Sequence, residues 1–217
     1  TFACATAHER MADWLHGCAQ AMRHFGGVPQ LIVPDNPRAL IANPNRYEPK
    51  ANDTVEDFAR HYGCSVLPAR PRQPQDKAKV ESAVQVVELW ILMRLRHQRF
   101  TSVDDVNEAI EPLLAQLNAK PFQKLPGSRA SAFADLDAPA LQPLPVQPWE
   151  YATYKTVRVH IDQHVEIEGH RYSVPQALVG QVLEARLTTH GVELLHRGQR
   201  VAAHARSAHK GRFTTVV

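Results

Sequence analysis

Two acidic residues of this chain have the surroundings expected of metal-binding carboxylates. Asp35 follows the apolar run Leu31–Val33 and a proline, so a buried strand would carry it to the carboxyl edge of a sheet, where α/β proteins bind ligands. Glu81 lies in the first turn of a helix predicted over residues 77–99. Hard oxygen ligands of this kind hold Mg²⁺ or Mn²⁺, which stabilises the attacking and leaving oxygens of phosphoryl transfer. Both acids are therefore candidate catalytic and metal-binding residues.

The helix that contains Glu81 is predicted to have two distinct faces. Apolar residues recur at intervals of three and four and predict one buried stripe, formed by Val80, Val84, Val87, Ile91 and Leu95. Glu81, Gln85 and Glu88 form a parallel row about 100° round the helix. Such a row can reach a cleft, but taken alone it is more typical of a solvated face in which Lys77 pairs with Glu81.

Basic residues are concentrated in two parts of the chain. Residues 64–80 contain one acid, Asp76, and four basic residues, namely Arg70, Arg72, Lys77 and Lys79. Residues 148–217 hold 9 basic and 6 acidic side chains, which accounts for the whole formal net charge of +3. Because neutralising phosphates supplies much of the affinity for nucleic acids, both regions are candidate DNA contacts. The alternative is ordinary solvated surface.

The elements that would position these groups alternate between helix and strand. The order is a helix over His8–Phe25 that ends at two glycines, a strand over Val28–Val33, a helix over Asp53–Tyr62 and a strand over Cys64–Leu67. This alternation predicts α/β layering. Ser102, followed three residues later by Asp105, is predicted to cap a further helix with apolar residues to Leu117.

A change of pattern predicts two domains. Residues 135–149 contain Pro139, Pro143, Pro145 and Pro148, which favour a semi-rigid linker. Beyond it the pattern has period two, with Val157, Val159 and Ile161 on one face and glycine turns between further β-rich runs. We therefore predict an α/β core over residues 1–134 and a small all-β barrel, or a sandwich, over residues 150–217.

Composition excludes several classes of function. The three cysteines form no CxxC pair and their odd number favours a reducing, cytoplasmic compartment. No apolar run approaches the roughly 18 residues of a membrane span. There is no GxxxxGK[ST] loop, which disfavours a nucleotide hydrolase, and the histidines lack the clustered cysteines of a zinc site.

Three blocks of sequence, in order, resemble the larger transposase of two-gene bacterial insertion sequences, a member of the retroviral-integrase superfamily. The blocks are Phe25–Asn36, Pro68–Arg72 and Asp76–Ser82. Two further segments, Tyr172–Pro175 and Leu178–Gly180, resemble the C-terminal barrel of the same transposases. The resemblance therefore covers essentially the whole chain.

The resemblance implies a ribonuclease-H-like fold in which Asp, Asp and Glu bind two Mg²⁺ ions for DNA strand cleavage and strand transfer. Asp35 matches the second acid and Glu81 the third. The DNA phosphates near that centre would be held by Arg70, Arg72, Lys77 and Lys79. The resemblance also implies a bacterial, nucleoid-associated protein that forms a homo-oligomer on transposon ends and target DNA with an ATPase helper.

The first acid of the resembled family is expected on an opening strand before Thr1, so we expect the core to be N-terminally incomplete. Asp13 lies in a predicted helix and cannot substitute for it. With one carboxylate absent, two dications would share too few ligands, and we expect this chain alone to be inactive. Two other hypotheses remain: a catalytically inactive DNA-binding remnant, and an unrelated α/β domain joined to an SH3-like interaction module.

Overall fold

The structure is a computed structural model that describes residues 1–34, 41–43, 50–51, 53–67 and 82–215. The chain divides into two compact units, Thr1–Trp149 and Glu150–Val217. The first contains helices and short strands and the second contains two larger sheets. The prediction of a mixed α/β fold is therefore confirmed.

Helix α1 of the first unit spans Met11–Phe25 and buries Leu15, Ala19 and Met22. It ends where Gly26 adopts the left-handed conformation, with φ 73°, and donates its N–H to Arg23 O. A residue without Cβ adopts this conformation at little cost, so the predicted stop at the glycines is confirmed.

Two short parallel strands lie downstream of α1. Strand β1, Leu31–Ile32, pairs in parallel with β4, Ser65–Val66. Between them in sequence lie an unpredicted antiparallel pair, β2 at Ile41–Asn43 and β3 at Lys50–Ala51, and the predicted helix α2 at Asp53–Tyr62. Helix α2 turns its Val55 and Phe58 side chains into the interior.

The next two helices pack against each other. Helix α3 covers residues 82–95 and includes a π-helical turn over Glu88–Leu92. Helix α4, Val103–Ala119, begins with the predicted capping box: Ser102 Oγ accepts from Asp105 N, and Asp105 Oδ2 accepts from Ser102 N. Their shared core contains Ile91, Leu95, Ile110 and Leu114.

The predicted buried stripe of α3 is confirmed at Ile91 and Leu95 and is wrong at Val84, which is 49% exposed. Within the described ranges, Val87 is the first α3 residue that packs against the core shared with α4, and the turn before it does not take part in that core. Val80 lies outside the described residues. No helix in the described ranges is both long enough and apolar enough to cross a membrane.

The proline-rich stretch belongs to the first unit. Helix α5, Arg129–Ala132, continues through a π-helical turn at Phe133–Asp137 and a 3-10 turn at Ala138–Ala140. Gln142 and Val28 then exchange backbone hydrogen bonds of 2.8 and 2.9 Å. The backbone at Gly27 lies so close to Leu141 that a Cβ on Gly27 would be 2.7 Å from Leu141 Cβ. The stretch predicted as a linker is thus hydrogen-bonded to Val28, close to the end of α1.

The second unit contains two sheets. The four-stranded antiparallel sheet has the order β10-β9-β8-β5, with β5 at Thr153–Arg158, β8 at Val182–Leu187, β9 at Gly191–His196 and β10 at Gln199–Ala205. The three-stranded sheet has the order β11-β7-β6, with β6 at His164–Ile167, β7 at His170–Ser173 and β11 at Phe213–Thr214. The short strand β11 runs parallel to β7.

Both sheets contribute to one core, which includes the fully buried Val165, Ala185 and Leu194. The prediction of a closed barrel is wrong: in residues 150–215 the strands form two separate sheets. The alternating pattern ends at a turn over residues 161–163, in which Gln163 has φ 63°. The turn carries the chain from one sheet to the other and leaves Ile161 91% exposed, contrary to its predicted inward position.

Two buried histidines connect elements of the second unit. His204 Nε2 lies 2.8 Å from Ser173 O, so this nitrogen carries the proton and donates between the two sheets. His170 Nδ1 donates to His209 O at 2.6 Å, and its Nε2 accepts from Thr214 Oγ1 at 2.8 Å. These bonds fix the C-terminal residues against β7.

Candidate metal centre and nucleic-acid interface

The described chain leads directly to the position of the first candidate acid. Ser65 N donates to Gln30 O and Leu67 N donates to Ile32 O, so β1 and β4 end at the same edge. The chain leaves that edge through Val33 and the buried Pro34. Asp35 itself lies outside the described residues, and its role stays a prediction. This edge is where the carboxyl ends of parallel strands place ligand-binding residues.

Glu81 is the residue before the first described residue of α3 and itself lies outside the described residues. Gln85 and Glu88, the other members of its predicted row, are exposed. Their exposure agrees with a solvated face for this part of the helix. The four predicted DNA-contacting residues, Arg70, Arg72, Lys77 and Lys79, likewise lie outside the described ranges.

No group of three or more His, Cys, Asp or Glu side chains in the described part of the chain is arranged to hold a metal ion. Asp13 lies in α1, as predicted, and its Oδ2 accepts from Arg10 N at 3.3 Å. His164 donates from Nδ1 to Asp162 O at 2.6 Å, and its Nε2 lies 3.2 Å from Thr215 Oγ1. The predicted metal site therefore depends on Asp35 and Glu81.

The thiols are poor candidates for nucleophiles. Burial raises the pKa of Cys18 to about 12, with smaller contributions from Cys64 and Cys4. Burial also raises the pKa of Cys4 and Cys64. Because the thiolate is the reactive species, these groups are unreactive near neutral pH.

Part of the positive charge of the second unit is neutralised internally. Glu168 accepts from Arg206 at 2.8 Å and from Lys155 at 3.0 Å. These two cations, Arg206 first, lower the pKa of the Glu168 carboxyl. Glu193 is shared in the same way, by Arg186 at 3.0 Å and Arg200 at 2.9 Å.

The other basic residues of the second unit differ in whether a carboxylate compensates their charge. Arg171 lies 3.7 Å from an oxygen of Asp162 and 3.5 Å from one of Glu166, so its charge is compensated. The basic residues of this unit that form no ion pair within the described residues are Arg158, Arg197, Lys210 and Arg212. They are the candidate DNA contacts of the second unit.

A cation–aromatic cluster in the first unit was missed from the sequence. Arg94 and Lys120 both lie over the indole ring of Trp90. Trp90 and Arg94 are four residues apart on one helix, and this spacing could have predicted the contact between those two side chains. Nothing local marks Lys120, which comes from the end of another helix.

Known proteins resemble this chain over its whole length. Residues 144–216 match the family described as Mu transposase, C-terminal domain. The chain is 57% identical over 216 residues to the "Putative transposase for insertion sequence IS408" of Burkholderia multivorans, covering 100% of this chain and 42% of that protein. It is 54% identical over 215 residues to the "Putative transposase for insertion sequence IS1162" of Pseudomonas fluorescens, covering 99% and 38%.

A more distant relative is the "Transposase for insertion sequence element IS21" of Pseudomonas aeruginosa, 32% identical over 173 residues, with 78% of this chain and 43% of that protein covered. The chain thus spans about two-fifths of the length of these relatives. A chain from the structure of the simian T-cell lymphotropic virus intasome in complex with PP2A regulatory subunit B56 gamma matches with a TM-score of 0.47 and 14% identity, covering 90% of this chain and 62% of that chain. Likeness at that level does not define the fold.

Proposed function

Because this chain belongs by sequence to the transposases of bacterial insertion sequences, we propose that it forms the catalytic-core and C-terminal part of a DNA transposase. The proposed reaction is metal-dependent cleavage of DNA strands followed by strand transfer. The observation that carries the proposal is 57% identity with an insertion-sequence transposase along the whole chain. The hypothesis of an unrelated α/β domain does not agree with that similarity.

We propose a ribonuclease-H-like arrangement for the first unit, supported by the parallel β1–β4 pair and helices α1 and α2. The register of β1 and β4 places Leu31, Val33 and Leu67 on one face of the pair. These apolar side chains are 45%, 51% and 56% exposed. We propose that further elements of a larger, upstream part of the core cover this face.

Asp35 and Glu81 would hold the metal in this proposal. When bound, Mg²⁺ or Mn²⁺ stabilises the attacking and leaving oxygens of the phosphoryl group. The carboxylates suit these hard cations, and the shared edge of β1 and β4 supports the placement of Asp35. Two carboxylates supply fewer ligands than a metal pair needs, so we propose that a third acid comes from upstream sequence.

DNA contacts would come from both units. The proposed contacts near the metal are Arg70, Arg72, Lys77 and Lys79, and those of the second unit are Arg158, Arg197, Lys210 and Arg212. Each would neutralise a backbone phosphate and release counterions, which makes affinity fall with salt. Assembly as a homo-oligomer on transposon ends, with an ATPase helper, is proposed from the family resemblance.

The test is Mn²⁺-dependent strand transfer by protein extended upstream to include the proposed first acid. We expect Asp35→Asn and Glu81→Gln each to lower product formation by at least about a hundredfold, because each removes a charged ligand from the metal pair. Product is measured as covalent joining of a labelled DNA end to a target duplex.

Glu88→Gln is the matched control, since Glu88 is an exposed acid on the helix that follows Glu81. We expect this variant to retain wild-type activity. Equal product from wild type, Asp35→Asn and Glu81→Gln would refute the catalytic assignment.

DNA binding without catalysis is a second candidate function. It is favoured by the four cations of the second unit that have no ion pair within the described residues. This function predicts salt-dependent DNA affinity but no strand transfer, even with upstream sequence present and Mn²⁺ supplied. Strand transfer by the extended wild-type protein would exclude it.

A further inference from the structure

The indole ring of Trp90 holds two cations in the first unit. The guanidinium carbon of Arg94 lies 4.4 Å from the ring centroid, and Lys120 Nζ lies 4.1 Å from it. We call these three residues the Trp90 cluster. Cations over an indole are attracted by the negative face of the ring, which fixes their positions at a modest gain in free energy.

The backbone beneath the cluster is well anchored. Trp90 belongs to the π-helical turn of α3, and Lys120 directly follows α4. The two helices are joined by a core in which Ile91 and Leu114 are buried, and Trp90 packs against that core. Arg94 Nη1 also donates to Gln116 Oε1 on α4, at 3.2 Å. The cations are thus exposed but are presented by packed helices.

The cluster carries uncompensated positive charge. Within the described residues neither Arg94 nor Lys120 forms an ion pair with a carboxylate. Their charges are no farther apart than the sum of their distances to the ring, which is comparable with the Debye length of about 8 Å at physiological salt. The repulsion between them is therefore only partly screened, and a neighbouring polyanion would relieve it.

A neighbouring cation on the same helix end, Arg96, forms no ion pair with a carboxylate in the part of the chain that the structure describes. Arg96 Nε donates to His97 Nε2 at 2.9 Å, and its Nη1 lies 3.8 Å from Met93 Sδ. Arg96 lies at the C-terminal end of α3, where the helix dipole attracts a cation. Lys120 directly follows α4 and is attracted in the same way by the C-terminal end of that helix dipole, and it is also held over the Trp90 ring together with Arg94.

We propose that the Trp90 cluster binds the phosphate backbone of duplex DNA. The inference rests on the proposed function and adds a contact surface on α3 and α4 to it. Charge complementarity selects the polyanion as occupant. The indole supports the cations rather than stacking on a base, so the contact carries no sequence preference.

The test measures binding of the 217-residue chain to labelled duplexes of about 30 base pairs and unrelated sequence, between about 50 and 300 mM KCl. We expect Arg94→Gln and Lys120→Gln each to raise Kd about three- to tenfold and to reduce the slope of log K against log salt by about 0.9, the value of one phosphate contact. Lys120→Arg retains the charge and should bind like wild type. For Arg94→Gln and Lys120→Gln, the rise in Kd and the reduction of the salt slope should be the same on every duplex.

Arg171→Gln is the matched control, because the charge of Arg171 is already compensated by Asp162 and Glu166. It should leave the salt slope unchanged. The proposal would be overturned if Arg94→Gln and Lys120→Gln both had wild-type salt slopes and wild-type circular dichroism. It would also be overturned if Lys120→Arg lost as much binding as Lys120→Gln. A reduced slope together with full strand transfer by Asp35→Asn and Glu81→Gln would support the cluster and refute the catalytic assignment alone.

Discussion

Replacing Trp149 by phenylalanine tests how the stretch before the second unit is attached to helix α2. In the structure Trp149 Nε1 donates to Asp57 Oδ2 at 2.9 Å, and the indole lies edge to face with Phe58 at 5.0 Å between ring centroids. Phenylalanine keeps most of the ring contact and removes the donor. The variant therefore removes the hydrogen bond while leaving an aromatic ring against Phe58.

The expected cost of Trp149→Phe is about 1 kcal/mol of unfolding free energy. Hydrogen bonds to charged groups contribute about 1.5–3 kcal/mol, and partial exposure of this bond reduces that figure. Trp149→Ala also loses the aromatic pair with Phe58, whose side chain is fully buried, so we expect a total cost of about 2–4 kcal/mol.

The assay is urea unfolding of the 217-residue chain, combined with hydrogen exchange of residues 141–149. Asp57 makes further contacts, so Asp57→Ala alone would not report on this bond. A double-mutant cycle of Asp57→Ala and Trp149→Phe isolates it, and we expect a coupling energy of about 1 kcal/mol. Coupling below about 0.3 kcal/mol, with unchanged exchange over residues 141–149, would show that the bond is not formed in solution.

Two further predictions concern the helix cap and the buried thiol. Ser102→Ala removes the acceptor of the Asp105 N–H and should cost about 1 kcal/mol in thermal unfolding, whereas Ser102→Gly should cost only a few tenths; equal melting of Ser102→Ala and wild type would contradict the capping box. Cys18, whose pKa rises from 9.0 to about 12, should react with iodoacetamide at pH 8 at least about a hundredfold more slowly in the folded than in the urea-unfolded chain. Because the folded state holds this proton more tightly, the contribution to stability is complete below about pH 9 and is lost as pH rises towards 12; equal alkylation rates in the two states would refute the burial of the thiol.

Sequence signals that act within one turn predicted the structure well. Gly26 ends α1 and Ser102 begins α4 at the expected residues, because capping depends on hydrogen bonds between near neighbours. The strands β9 and β10 were also located closely, since a glycine turn separates them and their side chains alternate.

Features that depend on remote partners were not predictable in the same way. Periodicity assigned Val84 and Ile161 to buried faces, but burial also requires a packing partner. Among the described residues, the core shared with α4 begins at Val87 and does not include Val84. The hydrogen bond between Trp149 and Asp57 joins positions 92 residues apart, and no local pattern encodes it.

The candidate site was predicted from residue type, spacing and family resemblance. The residues around it could be checked: β1 and β4 are parallel, and Pro34 leads from their common edge. Asp35 and Glu81 themselves stay predictions, because their convergence depends on positions outside the described residues.

The half-exposed leucine and valine side chains of the β1–β4 pair also affect how this protein behaves in a concentrated sample. Within the described residues this sheet has only two strands, so each has an unpaired edge beside an apolar face. Such edges are templates for pairing between molecules. Aggregation through this surface, rather than unfolding, is therefore expected to set the upper limit of usable protein concentration.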